Sequence, residues 1–89
     1  MGKIVKRATA GTLESSDVFV TLEPCDSGLE IEIDSVVQKQ FGEAIRRVAE
    51  ETLNELDIHP ARLSIVDRGA LDCVIRARVE TAILRGKGD

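Results

Sequence analysis

From Asp17 onward the chain alternates between apolar and polar positions. Val18, Val20 and Leu22 interleave with Phe19, Thr21 and Glu23, and Leu29, Ile31 and Ile33 interleave with Glu30, Glu32 and Asp34. This two-residue period belongs to strands with one buried and one wet face. Pro24, Cys25, Asp26, Ser27 and Gly28 between them carry turn chemistry, and a connection of that length is expected to join neighbouring antiparallel strands. The period then changes. Ser35 followed three residues later by Gln38 forms a capping box and predicts a helix start. The helix places Val37, Phe41, Ala44, Ile45, Val48, Ala49, Leu53 and Leu56 on one stripe, at spacings of three and four, with Glu43, Arg46, Arg47, Glu50 and Glu51 outside it. Gly42 inside it costs about 1 kcal/mol relative to Ala. Pro60 ends the segment, with Ile58 covering the last turn.

Residues 62–66 read as a third strand with Leu63 and Ile65 inward, and Asp67, Arg68 and Gly69 form a tight turn that reverses the chain. Beyond it two patterns compete. Cys73, Ile75, Ala77 and Val79 alternate with Val74, Arg76, Arg78 and Glu80, yet Leu71, Val74, Ile75, Arg78, Val79, Ala82 and Ile83 also fit a helical stripe. The reversal at 67–69, and the cost of burying Arg78 in a helix stripe, favour a strand through about Arg78 and then a short helix. Residues 1–10 have no sustained period and are expected as a loosely docked arm, residues 11–85 as the folded domain, and 86–89 as a frayed tail. The sum is an α+β two-layer sandwich: an antiparallel sheet of about four strands covered by one long helix, with room for a short C-terminal helix.

Composition narrows what such a domain can do. With 89 residues, 43% hydrophobic and 31% charged, the chain describes one small core. A domain of this size buries only roughly 60–65% of its unfolded surface, so a deep self-sufficient cleft is not expected and an accessory part is. The aromatic residues are Phe19 and Phe41 alone, which leaves no stacking platform for single-stranded nucleic acid. A net charge of −4 repels a phosphate backbone, so no nucleic-acid partner is expected. The first eleven residues are neither a signal peptide nor a membrane span, and Lys6 breaks the myristoylation pattern after Gly2, which places the protein in the cytoplasm with no membrane partner. Cys25 and Cys73 lack metal-site spacing and read as free thiols; His59, alone before Pro60, reads as a solvated loop residue.

The remaining chemistry lies in Gly11, Thr12, Leu13, Glu14, Ser15, Ser16 and Asp17, a polar segment with two adjacent hydroxyls ahead of the first strand. Its plainest reading is a turn in which Ser16 or Asp17 accepts a backbone hydrogen bond. A serine nucleophile needs a base and an oxyanion hole, and the chain offers neither a histidine partner nor a nucleophile elbow. No catalytic residue and no metal ligand is therefore assigned. Modification of the hydroxyl by another enzyme, which brings its own base, is the easier task.

The strings AGTLESSDVFVTLEP, KQFGEAIRR and DRGALDCVIRARVETAI, spanning about Ala10 to Leu84, resemble the acyl carrier, or gamma, subunits of citrate lyase. The resemblance implies that the serine of the GTLES string, Ser15, binds phosphoribosyl-dephospho-CoA covalently through a phosphodiester, its thiol holding the acyl group. Members often carry Gly at the next position, where this chain has Ser16, so Ser16 stands as the alternative attachment point. It also implies three partners: the alpha subunit, which exchanges acetyl for citryl on the carrier, the beta subunit, which cleaves the citryl thioester to oxaloacetate, and the prosthetic-group transferase, holo-citrate lyase synthase. The chain itself is then a non-catalytic tether that raises local concentration at two active sites. Because Glu14 and Asp17 flank the attachment serine, cations on the partners, or Arg76 and Arg78, are expected to offset the phosphate; the plainer reading of both arginines is a solvated strand face. Two rivals stand beside this reading: the acyl carrier subunit of malonate decarboxylase, whose loop lacks the GTLES form, and an interaction domain without a prosthetic group. A fatty-acid-type carrier is disfavoured, since that fold is a helical bundle.

Overall fold

The computed structural model describes residues 3–36 and 38–88, the side chains of 38–41 excepted. In chain order it contains β1 (Ala8–Gly11), β2 (Val18–Glu23), β3 (Leu29–Ser35), α1 (Gln38–Glu55), β4 (Ala61–Asp67) and α2 (Asp72–Gly86). The strands form one sheet in the order β1-β2-β4-β3. Both helices lie on one face, α2 across β1 and β2, α1 beside β3 and against α2. The architecture is the two-layer α+β arrangement that the periodicity predicts.

The alternation in β2 and β4 sorts residues as expected: Val18, Val20, Leu22, Leu63 and Ile65 are each at most 1% exposed beneath the helices. Glu30, Glu32 and Asp34 of β3 face water. In α1 the stripe of Ile45, Ala49 and Leu53 is buried, joined by Thr52, whose hydroxyl donates to the Val48 carbonyl at 2.7 Å instead of facing solvent. Leu56 falls beyond the helix and is exposed. There the chain turns through Asp57 at φ 54, with the Ile58 amide donating to the Leu53 carbonyl at 2.9 Å, a Schellman stop that buries Ile58 over the last turn.

Three expectations are corrected. First, β2 and β3 are not a hairpin: β4 lies between them, antiparallel to β2 and parallel to β3, so the sheet is mixed. The reason is α1, long enough to serve as the crossover that a parallel β3-α1-β4 unit requires. Second, residues 72–86 are a single helix, with no strand before it. Ile75, Val79, Ala82 and Ile83 form its buried stripe, while Arg78 sits at the edge of that stripe with its side chain 40% exposed, so the burial cost that argued against a helix does not arise. Third, the first residues are docked. Ile4 is buried, the Val5 amide donates to the Gly86 carbonyl at 2.9 Å, and residues 8–11 pair with β2 as an edge strand. Ala8 and Ala10 are too small to register as an apolar period, yet they fit beneath α2. At the other end Gly86 is buried against Ile4, where a Cβ would lie 3.3 Å from the Ile4 side chain.

Of the capping box, Val37 and the side chain of Gln38 lie outside the described residues, as does that of Phe41. Ser35 still belongs to β3, and its hydroxyl donates to Asp67 Oδ2 at 2.7 Å.

Candidate functional site

The segment between β1 and β2 is a hairpin loop whose shape follows from its residues. Gly11 leaves β1 at φ 91, where a Cβ would sit 1.8 Å from the Val18 carbonyl oxygen, so only glycine fits. Thr12 then accepts the Glu14 amide on its hydroxyl oxygen at 3.2 Å. The Asp17 amide donates to the Glu14 carbonyl at 3.1 Å, closing a turn with Ser15 and Ser16 at its two corners. Ser16 adopts φ 64, a left-handed conformation that costs most residues about 1–2 kcal/mol and glycine little. Both serines are exposed, as is Leu13 beside them.

Asp17 is the hub of this loop. It accepts from the Thr12 hydroxyl at 2.6 Å, from the Val18 amide at 2.7 Å, and from Arg78 through Nε at 3.2 Å and a terminal nitrogen at 3.0 Å. The Thr12 and Val18 bonds, then the Arg78 bonds and charge, hold its carboxyl down at a pKa of about 2 against an ordinary 3.8. A carboxylate with its acceptor positions so occupied is a poor general base. It is well placed to order the backbone that presents Ser15.

A second anchor comes from β4. The Ser16 amide donates to the Arg68 carbonyl at 2.8 Å and the Arg68 amide to the Asp17 carbonyl at 2.9 Å. Loop 12–17 is thus tied on one side to the end of β4 and on the other to α2. Asp67, just before, is 1% exposed; its Oδ1 accepts the Ala70 amide at 2.9 Å and its Oδ2 the Ser35 hydroxyl, so it organises the turn into α2.

Of the residues singled out in the sequence, Ser15 and Ser16 stand together at the tip of this loop. Arg78 reaches the loop through Asp17, whereas Arg76 pairs with Glu55 and, at 2.9 Å, with Glu80; these partners lower the Glu55 carboxyl and raise the Arg76 guanidinium. Both arginines project from a helix, not from a strand face. His59 is exposed, and Cys25 and Cys73 are free thiols. Among the described residues no group of His, Cys, Asp and Glu could hold a metal ion, and no helix is long and apolar enough to cross a membrane. The roles of Gly11, Thr12 and Arg68 escape sequence reasoning: Gly11 and Arg68 act through backbone geometry that only the paired strands define, and the Thr12 hydroxyl finds its partners only in the folded loop.

A family profile described as malonate decarboxylase delta subunit (MdcD) matches residues 5–86. The chain is 55% identical over 84 residues to a citrate lyase acyl carrier protein of Escherichia fergusonii, covering 93% of this chain and 87% of that protein. It is 57% identical over 83 residues to a citrate lyase acyl carrier protein of Cronobacter sakazakii, covering 93% and 86%. Among solved structures, a chain in the crystal structure of a Pseudomonas malonate decarboxylase hetero-tetramer in complex with malonate superposes with a TM-score of 0.79 at 29% identity, covering 94% of this chain and 88% of that one.

Proposed function

The chain belongs to the acyl carrier protein family of the malonate decarboxylase delta subunit and the citrate lyase carriers, and from that premise we propose that it is the acyl carrier subunit of a cytoplasmic citrate lyase. Ser15 is the attachment point for phosphoribosyl-dephospho-CoA, with Ser16 as the alternative. The observation that carries this reading is the exposed pair of hydroxyls at the tip of a loop braced from two sides, in a chain with this degree of identity to citrate lyase carriers.

The residues present suit such a group. The turn leaves both hydroxyls open to a modifying enzyme, and Arg78 neutralises Asp17, so a phosphodiester placed on Ser15 meets less negative charge than the bare string Glu14 to Asp17 suggests. When bound, the group supplies a thiol on a long arm, on which an acyl group travels between active sites of the alpha and beta subunits. The chain's own part is mechanical: a rigid body below, a fixed loop above, and no catalytic side chain. The prosthetic-group transferase is the third partner. A second reading, the carrier of a malonate decarboxylase, draws on the TM-score of 0.79 to a chain of that enzyme and on the family profile. The higher identity to citrate lyase carriers places it behind.

The test is intact mass and peptide mapping of residues 11–20 in protein isolated with its native partners. The expected result is one adduct, lost in Ser15→Ala and kept in Ser16→Gly. An adduct that survives Ser15→Ala and disappears in Ser16→Gly moves the attachment by one residue. A bare chain in a complex that still cleaves citrate overturns the reading, and a complex that consumes malonate but not citrate favours the second.

A further inference from the structure

A cavity of about 680 Å³ opens between the second turn of α1 and the segment joining β4 to α2, lined by Ala44, Ile45, Asp67, Ala70, Leu71 and Cys73. That volume lies within the ~300–1,000 Å³ of small-molecule sites. It adjoins the attachment loop. Asp67 is the register partner of Val18, and the next residue, Arg68, makes both backbone bonds to Ser16 and Asp17. Leu71, at the start of α2, is left 71% exposed at its rim.

The lining selects a type of occupant. Ala44, Ile45, Ala70 and Leu71 offer apolar contact, and no cation appears among the described lining residues, while Asp67 and Asp72 do. A second anion is therefore disfavoured, and a neutral chain is not. Asp67, 1% exposed with the Ala70 amide and the Ser35 hydroxyl on its two oxygens, fixes the base of the cavity and is not an open acceptor, so the contacts on offer are mainly apolar. The pantetheine portion of a CoA-type arm suits such a wall: neutral, apolar along its stem and ending in a thiol.

We infer that this cavity seats the thiol-bearing end of the arm carried on loop 12–17, folding it back against the protein between visits to partner active sites. The inference rests on the proposed attachment at Ser15 or Ser16. Tethering makes even a shallow seat effective, since the arm is held at high local concentration beside it.

The two cysteines provide the test. Cys73 lines the cavity, whereas Cys25 lies in the 24–28 connection, at the far end of β2 from the loop, roughly 20 Å away for six residues of strand. Intact mass of holo-protein, made with the prosthetic-group transferase, first establishes that the arm is present. Mild oxidation with diamide, which takes up the two hydrogens, then joins the arm thiol to a cysteine thiol as a disulfide, and peptide mapping reports which. A seated arm is expected to favour Cys73 over Cys25 by about tenfold or more, and to lose most of that preference in Ala44→Leu, which fills the cavity but leaves Cys73 in place. Ala70→Leu fills the same space from the other wall and serves if thermal melting shows Ala44→Leu to be unfolded. Arm present but with no preference, or a preference indifferent to both fillings, overturns the seat and leaves the carrier reading standing. A chain without an adduct overturns both.

Discussion

Asp17 accepts hydrogen bonds from Thr12, Val18 and Arg78 at once, and these keep it ionised in acid where an ordinary aspartate takes up a proton. Its folded pKa of about 2 lies below the ordinary 3.8, so the folded state binds fewer protons than the unfolded one across that interval. The stabilisation is fully present above the unfolded value and is lost as pH falls from about 4 towards 2. Thermal melts of the chain and of Asp17→Asn should therefore differ by a constant margin above about pH 4 that narrows below it. A margin unchanged down to pH 2 would remove Asp17 from the role of loop brace. The exposed serines themselves are legible in the sequence as a polar stretch before a strand. The brace is not, because Arg78 is 61 residues away from Asp17 and meets it only after α2 has docked on β1 and β2.

At the scale of elements, α1 and the three longer strands follow from periodicity, and the part from residue 71 on does not. A stretch in which Ile75, Ala77 and Val79 alternate with arginines supports either period, and only the helices' shared burial against the sheet decides. The helix makes a sharp distinction between its two sides. Ile75 is 1% exposed within the core cluster and Leu84 is 62% exposed on the opposite side. Urea denaturation should show Ile75→Ala destabilised by roughly 2–5 kcal/mol, with Leu84→Ala within about 0.5 kcal/mol of the parent. Similar losses at both positions would contradict the orientation of α2. Residues 8–11 and the parallel pairing were hidden for different reasons: the strand is short and built of small residues, and a five-residue connection from 24 to 28 suits a hairpin locally even though the chain uses it to step past the place that β4 fills.

For the whole molecule the decisive fact is that β4 is paired on both sides, over residues 62–67 with β2 and over its full length with β3. Its residues Leu63 and Ile65 sit at the centre of the core, while β1 and β3 are edges. Opening β4 therefore requires dismantling most of the sheet, whereas the edges can open by themselves. Native-state hydrogen exchange should find the slowest amides in β4 and in β2, with β1 and β3 faster. The reverse order would mean that the two halves of the sheet open independently. Net charge of −4 and the row of Glu30, Glu32 and Asp34 along an edge strand discourage edge-to-edge association of carriers, a useful property in a subunit meant to meet other proteins.

The late position of β4 in the chain also bears on birth at the ribosome. Until residue 67 has emerged, β2 and β3 have no common neighbour, and of the strand pairings only β1–β2 can form complete. The serine loop is therefore made early but braced last, once Arg68 and Arg78 have been added behind it.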